Sequence, residues 1–199
     1  MNIDINKISS SDKLLFHTKG FSPISFAIRE ITQSYWNHIG QIIKEDSGWY
    51  VIEALFKGVA KTPLDKYWAS KKYDLKVIRL KEISFKDIIE YKQGIKLSNS
   101  RMNQKIGKKY DFWAIVFIGI KYFFTGYYRK VRKHIPARNL FQSRQKFFCS
   151  EAICEADYNI SSLHSYLYKG KTNSICSTTT PKDISKSSHV DFITGIDKR

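Results

Sequence analysis

Cys149, His38 and Glu53 are the residues whose types and spacing suit acyl transfer. A thiolate can attack a carbonyl, an imidazole can take the thiol proton, and a carboxylate can orient the imidazole and stabilise it once charged. Cys149 opens the run Cys149-Ser150-Glu151-Ala152-Ile153-Cys154-Glu155-Ala156, in which positions 149, 152, 153 and 156 form one helical stripe. Its sulfur then stands at a helix N-terminus, where the dipole favours thiolate and unpaired N–H groups can hold a developing oxyanion. The competing reading is a small buried hydrophobe, the usual fate of a free cysteine.

His38 and Glu53 must be brought together by the chain around them. They lie in two β-rich runs, 38–43 and 49–55, joined by the polar stretch Lys44-Glu45-Asp46-Ser47-Gly48, which is a hairpin signature. A turn near Glu45 and Asp46 predicts that His38 and Glu53 stand directly opposite, with Cβ atoms about 4.5–5.5 Å apart on one face. A slip of one residue would send them to opposite faces. An edge histidine beside a solvated glutamate is the bland alternative.

The remaining pattern mixes short strands with helices. Strands are expected at 13–16, 77–80 and 147–148, the last leading into the helix of Cys149. Helices are expected at 23–34, with Ser22 as cap and Pro23 in the first turn, at 84–91, at 97–106, and after the cap Thr180-Pro181-Lys182-Asp183. Residues 112–124 are the most apolar stretch, broken by Lys121 and short of the roughly 20 residues needed to span a bilayer. A buried or interfacial helix is expected there. The mixture predicts an α+β fold in a single domain, 1–199, with a basic aromatic insertion at about 112–146.

Hydrophobic residues at 42% and aromatics at 15% supply a core and exclude a wholly disordered chain. The formal charge of +16 favours an anionic partner, with a solvated lysine-rich surface as the alternative. Three cysteines are an odd number, so a disulfide framework is a poor reading. Cys154 lies five positions after Cys149, about 500° around a helix, which argues against a shared metal site. Cys176 sits in a polar Ser/Thr stretch and reads as a bystander, and no metal or cofactor is expected. The first residues lack the pattern of a signal peptide, so a cytoplasmic, reducing location is expected, with membrane association open. His17, His134, His164 and His189 have no strand-opposed carboxylate and read as surface or structural.

Several segments together resemble the permuted NlpC/p60 papain-like hydrolases of the YiiX/YaeF-like group. They are Asp12-Lys13-Leu14-Leu15-Phe16, Tyr35-Trp36-Asn37-His38-Ile39-Gly40, Val51-Ile52-Glu53-Ala54 and Gly58-Val59. Further on come Gly107-Lys108-Lys109-Tyr110-Asp111-Phe112, Phe148-Cys149-Ser150-Glu151 and Thr180-Pro181-Lys182-Asp183-Ile184. Ser11-Asp12 departs from the Gly-Asp with which the group often begins its first strand. The resemblance implies a circularly permuted papain-like fold, with the histidine strand ahead of a cysteine helix packed on a small antiparallel sheet. It also implies a Cys149–His38–Glu53 site.

Tyr35, Asn37 and Ser150 flank these residues and are candidates for substrate contact, with packing as their alternative; Tyr110-Asp111 reads as a structural turn. The expected activity is cysteine-dependent hydrolysis of an amide, in a peptidoglycan or other cell-wall peptide or in a lipid-linked amide. Acyl transfer at an anionic membrane surface is a second reading. Binding of nucleic acid through the basic aromatic stretch 121–146 is a third and weaker one.

Overall fold

A computed structural model describes residues 3–20, 25, 28–30, 34–111, 146–158, 160, 176 and 179–197. Residues 112–145 of the insertion expected at about 112–146, and most of the helix expected at 23–34, therefore lie outside the described residues, as do His134 and His164. The strands are β1 (Lys13–Thr18), β2 (His38–Glu45), β3 (Gly48–Leu55), β4 (Gly58–Pro63), β5 (Tyr73–Leu80), β6 (Lys109–Tyr110), β7 (Lys146–Phe147) and β8 (Val190–Gly195). The helices are α1 (Asp65–Trp68), α2 (Ile88–Asn103), α3 (Cys149–Ala156) and α4 (Pro181–Ser185).

Six strands form one sheet in the order β4-β3-β2-β1-β5-β8, and every neighbouring pair is antiparallel. This is the α+β architecture expected from the sequence, an antiparallel sheet with α3 packed on it. Alternation along the strands buries both faces. On one side Leu15, Ile39, Ile43, Ile52 and Ala54 meet Cys149, Ala152, Ile153 and Ala156 of α3 and Met102 of α2. On the other, Leu14, Phe16, Ile42, Val51, Leu75 and Val77 pack with Leu64 and with Tyr67 of α1.

Two helices expected at 84–91 and 97–106 are in fact a short 3-10 turn, Glu82–Ser84, and the single helix α2. Asp87 starts α2 by accepting the Glu90 N–H at 2.7 Å. Gly94, near its middle, is a close-approach point and no break: a Cβ there would stand 2.7 Å from the Ile160 carbonyl oxygen. The expected cap at Thr180 is present, with Thr180 Oγ1 accepting the Asp183 N–H and Asp183 accepting the Thr180 N–H.

Cys154 and Cys176 form a disulfide, which corrects the reading of Cys176 as a bystander and leaves Cys149 as the free thiol. The odd count misled because only one of the three cysteines is reserved; the polar surroundings of Cys176 in sequence say nothing of its position against α3.

Candidate active site

The β2–β3 hairpin turns on Asp46 and Ser47, between the paired residues Glu45 and Gly48, and Gly48 adopts φ 135°. The register opposes Glu53 to Gly40, so His38 and Glu53 are diagonal neighbours and not directly opposite as expected. The turn sits one residue later than the sequence suggested. That displaces the pairing by an even offset, which preserves the face. Gly40 clears the diagonal: a Cβ there would lie 3.2 Å from Glu53 Cβ and 2.4 Å from Val51 Cγ1. Across that gap His38 Nε2 and Glu53 Oε2 are 2.7 Å apart. Glu53 is almost wholly buried, and its second oxygen, Oε1, accepts the hydroxyl proton of Tyr67.

Cys149 is the first residue of α3, after the extended Phe148. The two-residue parallel pairing of β6 with β7 delivers the chain to this point. Glu151 steadies the start of the helix by accepting the Phe148 N–H at 3.4 Å. The Cys149 sulfur is hydrogen-bonded to His38 and accepts the backbone N–H groups of Ile39 and Ser150. Since Glu53 holds Nε2, Nδ1 is the imidazole nitrogen left for the thiol.

The two groups push each other apart in pKa. Burial opposes charge on His38, yet the Cys149 thiolate and the Glu53 carboxylate together raise it to about 10. Burial likewise opposes the Cys149 thiolate, and the His38 charge, its hydrogen bond and the two backbone N–H groups outweigh that and lower the thiol. Both shifts favour the thiolate–imidazolium pair, the reactive form of a cysteine side chain.

A cavity of about 310 Å³ opens on His38 and Glu53. Phe16, Leu55, Phe56, Tyr67, Tyr73 and Tyr110 give it a largely aromatic wall, with Thr18 and Asn37 as polar points. Asn37 lines the cavity, and its amide is engaged by Thr18: its Oδ1 accepts the Thr18 N–H at 2.8 Å. Tyr35 points elsewhere, donating its hydroxyl to Asp74 and stacking on His17 with centroids 4.0 Å apart. The Ser150 hydroxyl is buried and donates to the Thr179 carbonyl at 2.7 Å, so it is the backbone N–H of Ser150, and not its side chain, that faces the sulfur.

Tyr67 and Tyr110 escaped the sequence reading. Tyr110, taken there for part of a turn, stands in the cavity wall. Burial and the charges of Cys149 and Asp111 push its phenol well up, so it stays protonated. The one signal for Tyr110 is its place in β6, whose partner β7 ends one residue short of Phe148 and Cys149. Tyr67 lies in a four-residue helix with no patterned sequence signal.

A cysteine at the head of a helix, facing a histidine carried on an antiparallel sheet, is the arrangement of the papain-like thiol hydrolases. Residues 13–116 match the family of permuted papain-like amidase enzymes, YaeF/YiiX, C92, and the chain belongs to that family. The matched stretch holds His38 and Glu53 and ends before Cys149. Among solved structures, the crystal structure of metalloprotein yiiX from Escherichia coli O157:H7 is similar at 17% identity and a TM-score of 0.60. It covers 96% of this chain and 98% of that one. No curated protein matches the sequence significantly. Among the described residues no group of three His, Cys, Asp or Glu side chains is placed to hold a metal ion.

Proposed function

We infer that this member of the amidase family cleaves its amide through Cys149 as nucleophile, His38 as base and then acid, and Glu53 as the group that orients His38. The observation that carries the reading is the continuous line Cys149–His38–Glu53, with the thiol driven down and the imidazole up to about 10. The Cys149 thiolate attacks the amide carbonyl carbon and forms a tetrahedral oxyanion. His38 returns its proton to the departing amine as the C–N bond breaks, leaving an acyl-enzyme thioester. Water, deprotonated by His38, then attacks the thioester, releasing the acid and restoring the thiolate–imidazolium pair. The N–H of Ser150, at the positive end of α3, is suited to the oxyanion.

The aromatic wall formed by Phe16, Tyr73 and Phe56 favours a substrate with an apolar or aromatic group beside the scissile amide. A cell-wall peptide amide and a lipid-linked amide both fit that description. The test is intact-protein mass spectrometry after brief incubation with panels of both. An acyl adduct on Cys149 that vanishes in Cys149→Ala and His38→Ala is expected. The pH profile of kcat/KM should hold across neutrality and decline on an alkaline limb near pH 10, where His38 loses its proton. Absence of any adduct, with Cys149 titrating as an ordinary thiol near pH ~8.5, would sink the reading.

A further inference from the structure

Glu53 has two oxygens, and only one of them serves His38. The other is held by a residue on a separate element. Tyr67 sits in α1, just beyond β4, 9% exposed, and its hydroxyl donates to Glu53 Oε1. Its ring is fixed before any substrate arrives: it lies edge-on to Phe16, centroids 4.9 Å apart, and edge-on to Tyr73 at 5.5 Å. Phe16 in turn packs against the His38 ring at 5.1 Å. The Thr62 side chain is hydrogen-bonded to the Tyr67 hydroxyl, so the chain of contacts runs Thr62–Tyr67–Glu53–His38–Cys149.

We propose that Tyr67 is a positioning residue for the reaction: its hydroxyl holds the Glu53 carboxylate in the one orientation that keeps Oε2 on His38. The inference rests on the reading of Cys149, His38 and Glu53 as the reacting set. The physical case is one of satisfaction. A buried carboxylate oxygen without a donor is costly, so a Glu53 deprived of Tyr67 turns away from His38 towards another donor. That deprives the imidazolium of its counter-charge, and the thiolate then loses its own partner. Tyr67 is suited to the task because burial and the Glu53 charge push its phenol far above its ordinary value, so it remains a donor at every working pH. Being neutral, it satisfies the carboxylate without competing with His38 as a cation. A purely structural tyrosine would fill the same space with its ring and leave the titration of Cys149 unchanged.

The experiment is iodoacetamide labelling of Cys149 across pH 4 to 9.5, read by mass spectrometry, in the parent, Tyr67→Phe and Thr62→Val. Phenylalanine keeps the ring contacts and removes only the hydroxyl. The expected result for Tyr67→Phe is a labelling midpoint about one pH unit or more higher than in the parent, with the plateau rate above pH 9 unchanged. Thr62→Val, which leaves the Tyr67 hydroxyl in place, should move the midpoint in the same direction by less. A Tyr67→Phe midpoint equal to that of a parent whose thiol is depressed overturns the role of Tyr67 alone. A parent midpoint near ~8.5 overturns the Cys149–His38–Glu53 reading and Tyr67 with it. Should Tyr67→Phe show no cooperative melting, Thr62→Val decides: a raised midpoint supports the proposal and an unmoved one overturns it.

Discussion

Glu151, two residues beyond the nucleophile, has its carboxyl buried within the first turn of α3. Burial, then the charge of Glu155, raises it to about 8, well above its ordinary 4.5. The folded chain therefore binds this proton more tightly than the unfolded chain does. Its contribution to stability is complete below about pH 4.5 and is lost as the pH rises through about 8. Glu151→Gln keeps an acceptor for the Phe148 N–H and cannot ionise, so its Tm should exceed the parent's at pH 8.5, with the gap closing towards pH 4.5. Parallel Tm profiles across that range would refute the account. The candidacy of Cys149, His38 and Glu53 was legible at this scale because residue type carries it. The parts of Tyr67 and Tyr110 were not, since a tyrosine acquires such a role only from what stands beside it.

Position along an element carries the next layer. The C-terminal end of α3 is tied to the sheet by a buried pair, Lys13 Nζ to Asp157 Oδ1 at 3.0 Å, with both side chains almost fully excluded from solvent. Gln41 accepts a second proton of Lys13 at 2.8 Å, and the Ser98 hydroxyl of α2 donates to the same Asp157 oxygen at 2.6 Å. One network thus joins β1, β2 and α2 to the end of the nucleophile's helix, opposite Cys149. Lys13→Met should cost about 3–5 kcal/mol in urea unfolding, because it strands a buried carboxylate. Lys13→Met combined with Asp157→Leu should recover much of that loss. If the double variant is no more stable than the single, the charge argument fails. Hairpin, nucleophile helix and the Thr180 cap were readable from pattern. Strands β4 and β8 were not assigned from sequence, nor was the pairing of β5 with β8, whose ladder joins residues far apart in the chain.

Across the whole molecule, the Cys154–Cys176 disulfide closes a loop with a sequence separation of 22 and ties Cys176 to α3. Thr179 returns the favour to the site: its carbonyl takes the Ser150 hydroxyl. Denatured without reductant, air-oxidised protein should present one thiol to Ellman's reagent, rising to three after reduction. Cys176→Ser should lower stability by about 3 kcal/mol by chain entropy, in protein kept oxidised. Three reactive thiols without reductant would dismiss the bridge. No described helix is long and apolar enough to cross a membrane.

From the sequence alone came the α+β class of fold, the hairpin, the helix headed by Cys149 and the candidacy of Cys149, His38 and Glu53. These follow from local periodicity, capping and residue chemistry, which act over a few neighbours along the chain. Tertiary structure alone decided the diagonal His38–Glu53 contact across Gly40, the second hold on Glu53 by Tyr67, the place of Tyr110 in the cavity wall and the union of Cys154 with Cys176. Each of these joins segments whose meeting depends on sheet register and on packing between layers, and neither is written in the spacing of residues within one segment.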